Sequence, residues 1–328
     1  MNLILISTII SISSNSWFGM WLGLEINLMS IIPLMSNIKN SYSTESSIKY
    51  FIVQALSSMI IMMSMIFLVN ISNSPVTNFN NSINMIFNSA LMTKMGSAPF
   101  HFWFPEIMEG LNWINCFIML TWQKITPMIL LNYSLNSMFI LIIIVFSMLI
   151  SGIMGINQNS LRKILSYSSI NHIGWMLASM MFFETIWLMY FFIYLIILSN
   201  LVLIFNLYKI FFMTQLMFFM SSNLKLNYFF IMNFLSLGGL PPFIGFLPKW
   251  FTIQIMIFNN NYFLPFMMII LTLLTLFYYV RIMMSTLSLI SKEANFIKFK
   301  IQSHKWISIF NYINLLSLIL YSFMFNFI

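Results

Sequence analysis

Residues 83–102 read INMIFNSALMTKMGSAPFHF, an apolar run with a lysine near its middle and a glycine and a proline after it. A helix needs about 20 apolar residues to cross the roughly 30 Å hydrocarbon core of a bilayer, so this run is long enough to span a membrane. Lys94 lies about 17 Å into the run at a helical rise of about 1.5 Å per residue. The stretch therefore predicts a membrane helix that holds a cation in the hydrocarbon and breaks directly after it.

The composition of the whole chain favours the same environment. Its 328 residues are 60% hydrophobic and only 6% charged, whereas a soluble domain carries about 25% charged residues. A water-exposed surface cannot be built from this mixture, which predicts an all-α polytopic membrane protein. We expect about eleven transmembrane helices, at residues 1–14, 17–36, 46–70, 83–102, 112–133, 137–156, 161–180, 184–208, 227–258, 262–285 and 306–328.

A second interrupted segment indicates an internal repeat. Residues 227–258 contain Gly238-Gly239-Leu240-Pro241-Pro242 and then Lys249, five segments after the first interrupted run. Paired Gly/Pro-broken helices in a transporter point to the ion path, and an odd offset inverts the second copy. We therefore expect one transmembrane domain over residues 1–328, with inverted repeat halves at roughly 1–208 and 227–328.

The basic residues are distributed asymmetrically along the chain. Three of the 14 Lys and Arg residues lie inside hydrophobic segments, and with eleven segments all the others fall on the side of the N-terminus. The opposite loops carry only Glu184. An excess of Lys and Arg marks the inner face, and the 31 Met residues indicate organellar coding. The pattern predicts an N-terminus in the mitochondrial matrix and a C-terminus in the intermembrane space.

Four ionisable residues lie deep in hydrophobic segments: Glu25, Lys94, Lys124 and Lys249. A charge at the bilayer centre costs roughly 2.5–3.5 kcal/mol on insertion scales, so such residues face the protein interior, pair with each other or meet water. Burial lowers the pKa of a lysine and a nearby carboxylate raises it, so a lysine under both influences can switch its proton near neutral pH. One carboxylate cannot neutralise three lysines, which favours a proton relay over static ion pairs.

Each of these lysines has a proline nearby, at Pro99, Pro127 and Pro248. Proline lacks the amide that bonds the carbonyl four residues earlier, so Pro248 should leave the carbonyl of Ile244 free for water or an ammonium group. His172 follows a run of serines in another segment. It could line a water path or be a hydrogen-bonded interior histidine, and the sequence leaves both open.

Cofactor motifs are not found in the sequence. The chain has a single cysteine, Cys116, which excludes a Cys/His cluster for zinc or iron–sulfur. We find no Gly-rich nucleotide loop and no haem or metal spacing, so we expect no cofactor in this chain. Basic runs interleaved with aromatic residues in a solvated domain are also missing, which argues against nucleic-acid binding.

Several motifs resemble the subunit 2 family of animal mitochondrial complex I, with an insect-like composition. They are Trp21-Leu22-Gly23-Leu24-Glu25-Ile26-Asn27, Thr44-Glu45-Ser46-Ser47-Ile48-Lys49-Tyr50-Phe51, Lys94-Met95-Gly96-Ser97-Ala98-Pro99-Phe100-His101-Phe102-Trp103, Thr121-Trp122-Gln123-Lys124, Asn157-Gln158-Asn159-Ser160-Leu161-Arg162-Lys163 and Leu237-Gly238-Gly239-Leu240-Pro241-Pro242 through Lys249-Trp250. The resemblance covers the run from Gly19 to Arg281, most of the chain.

The resemblance implies an antiporter-like bundle in the mitochondrial inner membrane that translocates protons. Glu25 and Lys94 would form a charge couple, Lys124 the central relay and Lys249 the distal group. Other subunits would transfer electrons from NADH to ubiquinone and bind NADH, FMN, iron–sulfur clusters and ubiquinone. The implied partners are neighbouring antiporter-like and small core subunits, accessory subunits and lipids such as cardiolipin.

Two other functions fit the same residues. A free-standing cation/proton antiporter would share the fold and the buried charges. A structural scaffold of a respiratory complex would hold its lysines in static ion pairs instead.

Overall fold

The structure is a computed structural model that describes residues 1–37, 40–72, 78–222, 224–241 and 243–288. Within these ranges the chain is helical almost throughout, apart from an isolated antiparallel bridge between Ser160 and Phe212. The helices are α1 (Asn2–Ser13), α2 (Trp17–Met35), α3 (Ser41–Ser72), α4 (Asn78–Met95), α5 (Trp103–Gly110), α6 (Trp113–Leu120), α7 (Trp122–Asn132), α8 (Ser137–Ile156), α9 (Leu161–Met180), α10 (Glu184–Tyr208), α11 (Met213–Ser222), α12 (Leu224–Gly238), α13 (Phe246–Phe258) and α14 (Phe263–Ser288).

Six described helical stretches are long and apolar enough to cross a membrane, as expected for a polytopic protein. They are Trp17–Met35, Ser41–Val69, Trp113–Asn132, Ser137–Ile156, Glu184–Tyr208 and Phe263–Thr286. Hydrocarbon accepts helices because a helix satisfies its backbone hydrogen bonds internally. The first predicted segment forms the short α1, of 12 residues, and the segment predicted at 306–328 lies outside the described residues.

The two interrupted runs end their first helix in the same way. Residues 83–102 fall in α4 and in the turns that lead to α5, and residues 227–258 fall in α12 and α13 and the segment between them. A glycine in the left-handed region follows each first helix, Gly96 at φ 72° and Gly239 at φ 75°. A further amide then bonds to the carbonyl five residues earlier, at 3.2 Å after α4 and 3.3 Å after α12. Both ends are therefore Schellman motifs, in which glycine takes the conformation that other residues resist.

One compact unit of the chain is Met1–Ser147. In it α3 packs against α2, α4 and α5, while α7 packs against α1, α4 and α6. Gly23 allows a close approach of α2 to α1, because a Cβ there would lie 2.6 Å from the Cβ of Ser11 on α1. Small residues let helices pack closely in a membrane. The packing gathers α2, α3, α4 and α7 around the lysine of the first interrupted run.

The other compact unit is Met148–Ile328, of which the structure describes residues up to 288 with two single-residue gaps. Here α9 packs against α10, α13 and α14. Every residue of α9 from Ile164 to Met180 is buried, although the stretch contains serines, Asn171 and His172. Buried polar groups need hydrogen-bond partners, so α9 carries the polar interior of this unit.

Candidate functional site

Lys94 lies in the last turn of α4 and is only 7% exposed. Its side chain lines a cavity of about 10 Å³, as do five polar side chains of α2, α3 and α7: Asn27, Tyr50, Gln54, Gln123 and Thr126. Gln54 caps the end of α4, because its Nε2 donates to the Lys94 carbonyl at 3.3 Å. The Lys94 ammonium itself makes no hydrogen bond with the residues described here. Lys94 is therefore a buried cation that lies beside the cavity.

Glu25, the predicted partner of Lys94, is half-buried on α2. Its carboxylate is close enough to interact electrostatically with the Lys94 ammonium. Within the described part of the chain, however, ion pairs with N–O distances within 4 Å join Lys49 to Glu45 and to Glu106, and none joins Lys94 to Glu25. The two groups thus attract each other without forming a direct bond.

A reciprocal amide pair closes one side of the Lys94 cavity. Asn27 Nδ2 donates to Gln123 Oε1 at 3.1 Å, and Gln123 Nε2 donates back to Asn27 Oδ1 at 3.2 Å. The hydroxyl of Tyr50 also donates to Gln123 Oε1, at 3.4 Å. Three helices, α2, α3 and α7, are therefore held together by polar groups around the cavity.

Lys124 directly follows Gln123 on α7 and is 1% exposed. Its ammonium lies 5.6 Å from the centroid of the Phe104 ring. A cation within about 6 Å of an aromatic face is attracted by the ring quadrupole. One turn of α7 thus carries both a member of the amide pair and the second buried lysine.

Lys249 lies at the start of α13 and is 6% exposed. Its ammonium donates to the carbonyls of Leu237 at 3.2 Å and Gly238 at 2.8 Å, which are the last two residues of α12. The last carbonyls of a helix lack partners within it and form the negative end of its dipole. The lysine also lies 5.8 Å from the centroid of the Trp175 ring on α9. The third buried lysine is thus a cap for a helix end.

Gly239 makes this cap sterically feasible. A Cβ at this position would lie 2.6 Å from Lys249 Cδ and 2.8 Å from Lys249 Nζ. Any larger residue would therefore have to displace the lysine side chain.

The expectation that Pro248 frees the carbonyl of Ile244 is wrong. The Ile244 carbonyl accepts from the Leu247 amide at 3.2 Å, an i→i+3 bond that tightens the first turn of α13. The acceptors that Lys249 uses belong to the preceding helix instead.

His172 is 4% exposed on α9, and its Nδ1 lies 2.8 Å from the hydroxyl of Tyr190 on α10. The ring of Tyr194 lies 4.8 Å away between centroids. On α14, the side chains of Tyr278 and Tyr279 are buried, with their ring centroids 4.5 Å apart. The histidine is therefore a hydrogen-bonded interior residue in a unit with buried hydroxyl groups, and its role in a water path stays a prediction.

The sequence analysis missed the neutral polar residues of both units. Asn27, Tyr50, Gln54 and Thr126 line the cavity beside Lys94, and Tyr190 is the partner of His172. An amide or hydroxyl inside an apolar run is itself a signal, because polar groups in hydrocarbon need partners. That signal marks many residues here and does not say which of them meet.

Metal-binding clusters are also missing from the described residues. No group of three or more His, Cys, Asp or Glu side chains is placed there to hold a metal ion. The described side chains around the three lysines and His172 include amines, a carboxylate, hydroxyls and an imidazole, which are groups that can exchange protons.

Comparison with known proteins identifies a family model that matches residues 14–275, described as NADH:quinone oxidoreductase/Mrp antiporter, transmembrane. The NADH-ubiquinone oxidoreductase chain 2 of Anopheles gambiae is 43% identical over 99% of this chain and 92% of that protein. The protein of the same name from Aedes aegypti is 48% identical over 84% of this chain and 81% of that protein.

The fold also matches a solved structure. A chain in the structure of respiratory complex I from Thermus thermophilus with bound aureothin gives a TM-score of 0.83 at 17% identity. The match covers 96% of this chain and 77% of that chain. The likeness shows that the helices of this chain are arranged in the antiporter-like fold.

Proposed function

Because the chain belongs to the NADH:quinone oxidoreductase/Mrp antiporter family, and within it to the NADH-ubiquinone oxidoreductase chain 2 group, we propose that it moves protons through the membrane arm of complex I. It is an antiporter-like subunit of NADH:ubiquinone oxidoreductase and a multi-pass protein of the mitochondrial inner membrane. The resemblance of its motifs to this family is confirmed by the relatives. The electron transfer belongs to the enzyme as a whole, and this chain carries none of the redox chemistry itself.

The proposed path is a relay of Glu25, Lys94, Lys124 and Lys249. The observation that carries it is the Lys94 ammonium, which is buried beside a polar cavity and has no carboxylate within 4 Å in the described part of the chain. A static pair would hold the charge in direct contact, because a buried charge without a partner is strongly unfavourable. Lys94 instead senses Glu25 at longer range, which suits a group that gains and loses its proton.

The two alternatives have less support. A scaffold with static ion pairs would place carboxylates on Lys94 and Lys249, whereas Lys249 binds backbone carbonyls. A free-standing antiporter is not favoured, because the Anopheles and Aedes relatives carry the name of a complex I subunit.

The remaining architecture follows as part of the proposal. The chain would have about eleven transmembrane helices, two of them broken at their Gly/Pro segments, and inverted repeat halves at roughly 1–208 and 227–328. The N-terminus would face the matrix and the C-terminus the intermembrane space. Its partners would be neighbouring core and accessory subunits and cardiolipin, while NADH, FMN, iron–sulfur clusters and ubiquinone would bind to other subunits.

Replacing Lys124 by Met tests the relay, because Met keeps most of the side-chain volume and cannot carry a proton. We expect the proton-pumping rate to fall at least about tenfold, since positioned acid–base groups contribute about 10²–10⁴-fold to a rate. The measurement is proton uptake against NADH oxidation by purified complex in liposomes.

Lys163→Met is the matched control, because Lys163 lies in the first turn of α9 and is partly exposed. The relay is refuted if the Lys124 variant assembles and pumps as well as this control.

A further inference from the structure

The geometry points to a binding site for one ordered water molecule between the Lys94 ammonium and the hydroxyl of Thr126. The inference rests on the proposed function and deepens it, because it names the group that solvates a relay lysine. Thr126 acts in it as a positioning residue for the water.

The cavity has the size and the lining that a water needs. Its volume of about 10 Å³ is close to the roughly 10–15 Å³ that one water requires. Cavities that stay empty in proteins are apolar, whereas cavities with two to four polar partners hold water. The residues that line this one include Lys94, Tyr50, Thr126 and three residues with side-chain amides.

Thr126 is the residue whose hydroxyl is left for such a water. It is 1% exposed, and its Oγ1 is buried without a hydrogen-bond partner among the described residues. Helical threonines elsewhere in the chain donate to the carbonyl three residues earlier: Thr93 at 2.7 Å, Thr252 at 2.8 Å and Thr275 at 2.8 Å. Thr126 lacks this local bond, although leaving a buried hydroxyl unpaired is unfavourable. A water molecule in the cavity can both donate and accept a hydrogen bond, so it would satisfy the Thr126 hydroxyl.

The other cavity groups explain why the water would sit at Thr126. Gln123 Oε1 already accepts from Asn27 and Tyr50, and Gln123 Nε2 donates to Asn27. These amides are fixed by one another and offer no titratable proton. The Lys94 ammonium makes no hydrogen bond to the described residues, and the Thr126 hydroxyl has no partner among them. A water between them accepts from Lys94 Nζ and bonds Thr126 Oγ1.

The same water gives the Lys94 proton a way out. The water oxygen forms an O–H bond to a proton of the Lys94 ammonium while the N–H bond to that proton breaks. A second proton leaves the water for the next base of the proposed relay. The water is regenerated, and Lys94 is left as a neutral amine until a proton returns by the reverse steps.

The first test uses the unmodified complex. A high-resolution map should show a water peak at about 2.7–3.2 Å from both Lys94 Nζ and Thr126 Oγ1. A map that resolves other buried waters of this chain but leaves the cavity empty overturns the inference. This result also decides the matter if the variants below fail to assemble.

The second test removes the hydroxyl and keeps the shape, by Thr126→Val. We expect the water peak to disappear and the pumping rate to fall about two- to tenfold, the range of one hydrogen bond of about 0.5–1.5 kcal/mol. Thr126→Ser should restore both. Thr93→Val is the matched control on α4, because the Thr93 hydroxyl bonds its own helix.

The outcomes separate this inference from the proposed function. If Thr126→Val pumps like Thr93→Val while Lys124→Met stops pumping, the relay stands and the role of the water is refuted. If Lys124→Met also leaves pumping intact, the relay itself fails.

Discussion

The ends of α4 and α12 are built alike, yet the buried lysine beside each one is held differently. Both helices end in a left-handed glycine, Gly96 or Gly239. At the end of α4, neutral side chains cap the carbonyls: Gln54 bonds the Lys94 carbonyl at 3.3 Å, and the Trp103 indole bonds the Thr93 carbonyl at 3.0 Å. At the end of α12, the ammonium of Lys249 makes the cap.

The difference shows that a buried lysine beside the same backbone motif can have two different environments. Where neutral donors satisfy the helix end, the ammonium of Lys94 is left facing a cavity. Where Lys249 satisfies it, loss of the proton would weaken two charge-assisted hydrogen bonds, which are about twice as strong as neutral ones. We therefore expect proton exchange at Lys249 to be coupled to the structure of the α12 end, and exchange at Lys94 to be coupled to water.

The largest effect should come from Gly239→Ala. The added Cβ would collide with Lys249 Cδ and Nζ, and the φ of 75° adds about 1–2 kcal/mol of backbone strain. We expect pumping to fall at least about tenfold, as for loss of an acid–base group. Proton uptake per NADH in liposomes measures it.

Gly96→Ala is the paired control for that variant. It carries similar strain at φ 72°, but the added Cβ would meet Phe104 at 3.1 Å and no lysine. Equal pumping by the two alanine variants would show that the position of the Lys249 side chain at the end of α12 does not matter.

The next effect compares Lys249→Met with Lys94→Met in stability. The first variant leaves the carbonyls of Leu237 and Gly238 without their donor, at about 1–3 kcal/mol for each buried group. The second removes no donor from a described carbonyl and should be nearly neutral. Retention of intact complex on heating should separate them, and equal retention would contradict the different roles of the two lysines.

A smaller effect is expected for Tyr190→Phe, which tests the unit that contains Lys249. The change removes the hydroxyl that lies 2.8 Å from His172 Nδ1, worth about 0.5–1.5 kcal/mol. If His172 takes part in the relay, pumping should fall about two- to tenfold, measured against Tyr262→Phe, whose side chain is exposed. Unchanged pumping would leave His172 a structural residue.

The smallest effect should come from Gln54→Leu at the end of α4. It removes one neutral cap, worth about 1 kcal/mol, while Trp103 still caps the neighbouring carbonyl. We expect slightly lower heat stability and less than about a twofold change in pumping. A loss of pumping as large as that of Gly239→Ala would mean that the two helix ends work alike.

Three features follow from the sequence alone: the chain lies in lipid, it is helical, and three of its lysines are buried. The reason is that the free energy of burying a side chain depends on residue type and on the length of the apolar run around it, both of which can be read along the chain. Lys94, Lys124 and Lys249 were predicted to be buried in this way, and the structure leaves each of them at most 7% exposed. Glu25 was also predicted to lie deep, but it is half-buried.

The partner of each buried side chain depends on how the helices pack, which the sequence did not show. The partners are far apart in sequence: Gln123 bonds Asn27 across 96 residues, and Gln54 bonds the carbonyl of Lys94 across 40. Local rules predicted the Ile244 carbonyl near Lys249, but the ammonium reached the end of the preceding helix, because helix packing and the space at Gly239 set the distances. Hydrogen bonds act over about 3 Å, so they are fixed only when the helices have packed.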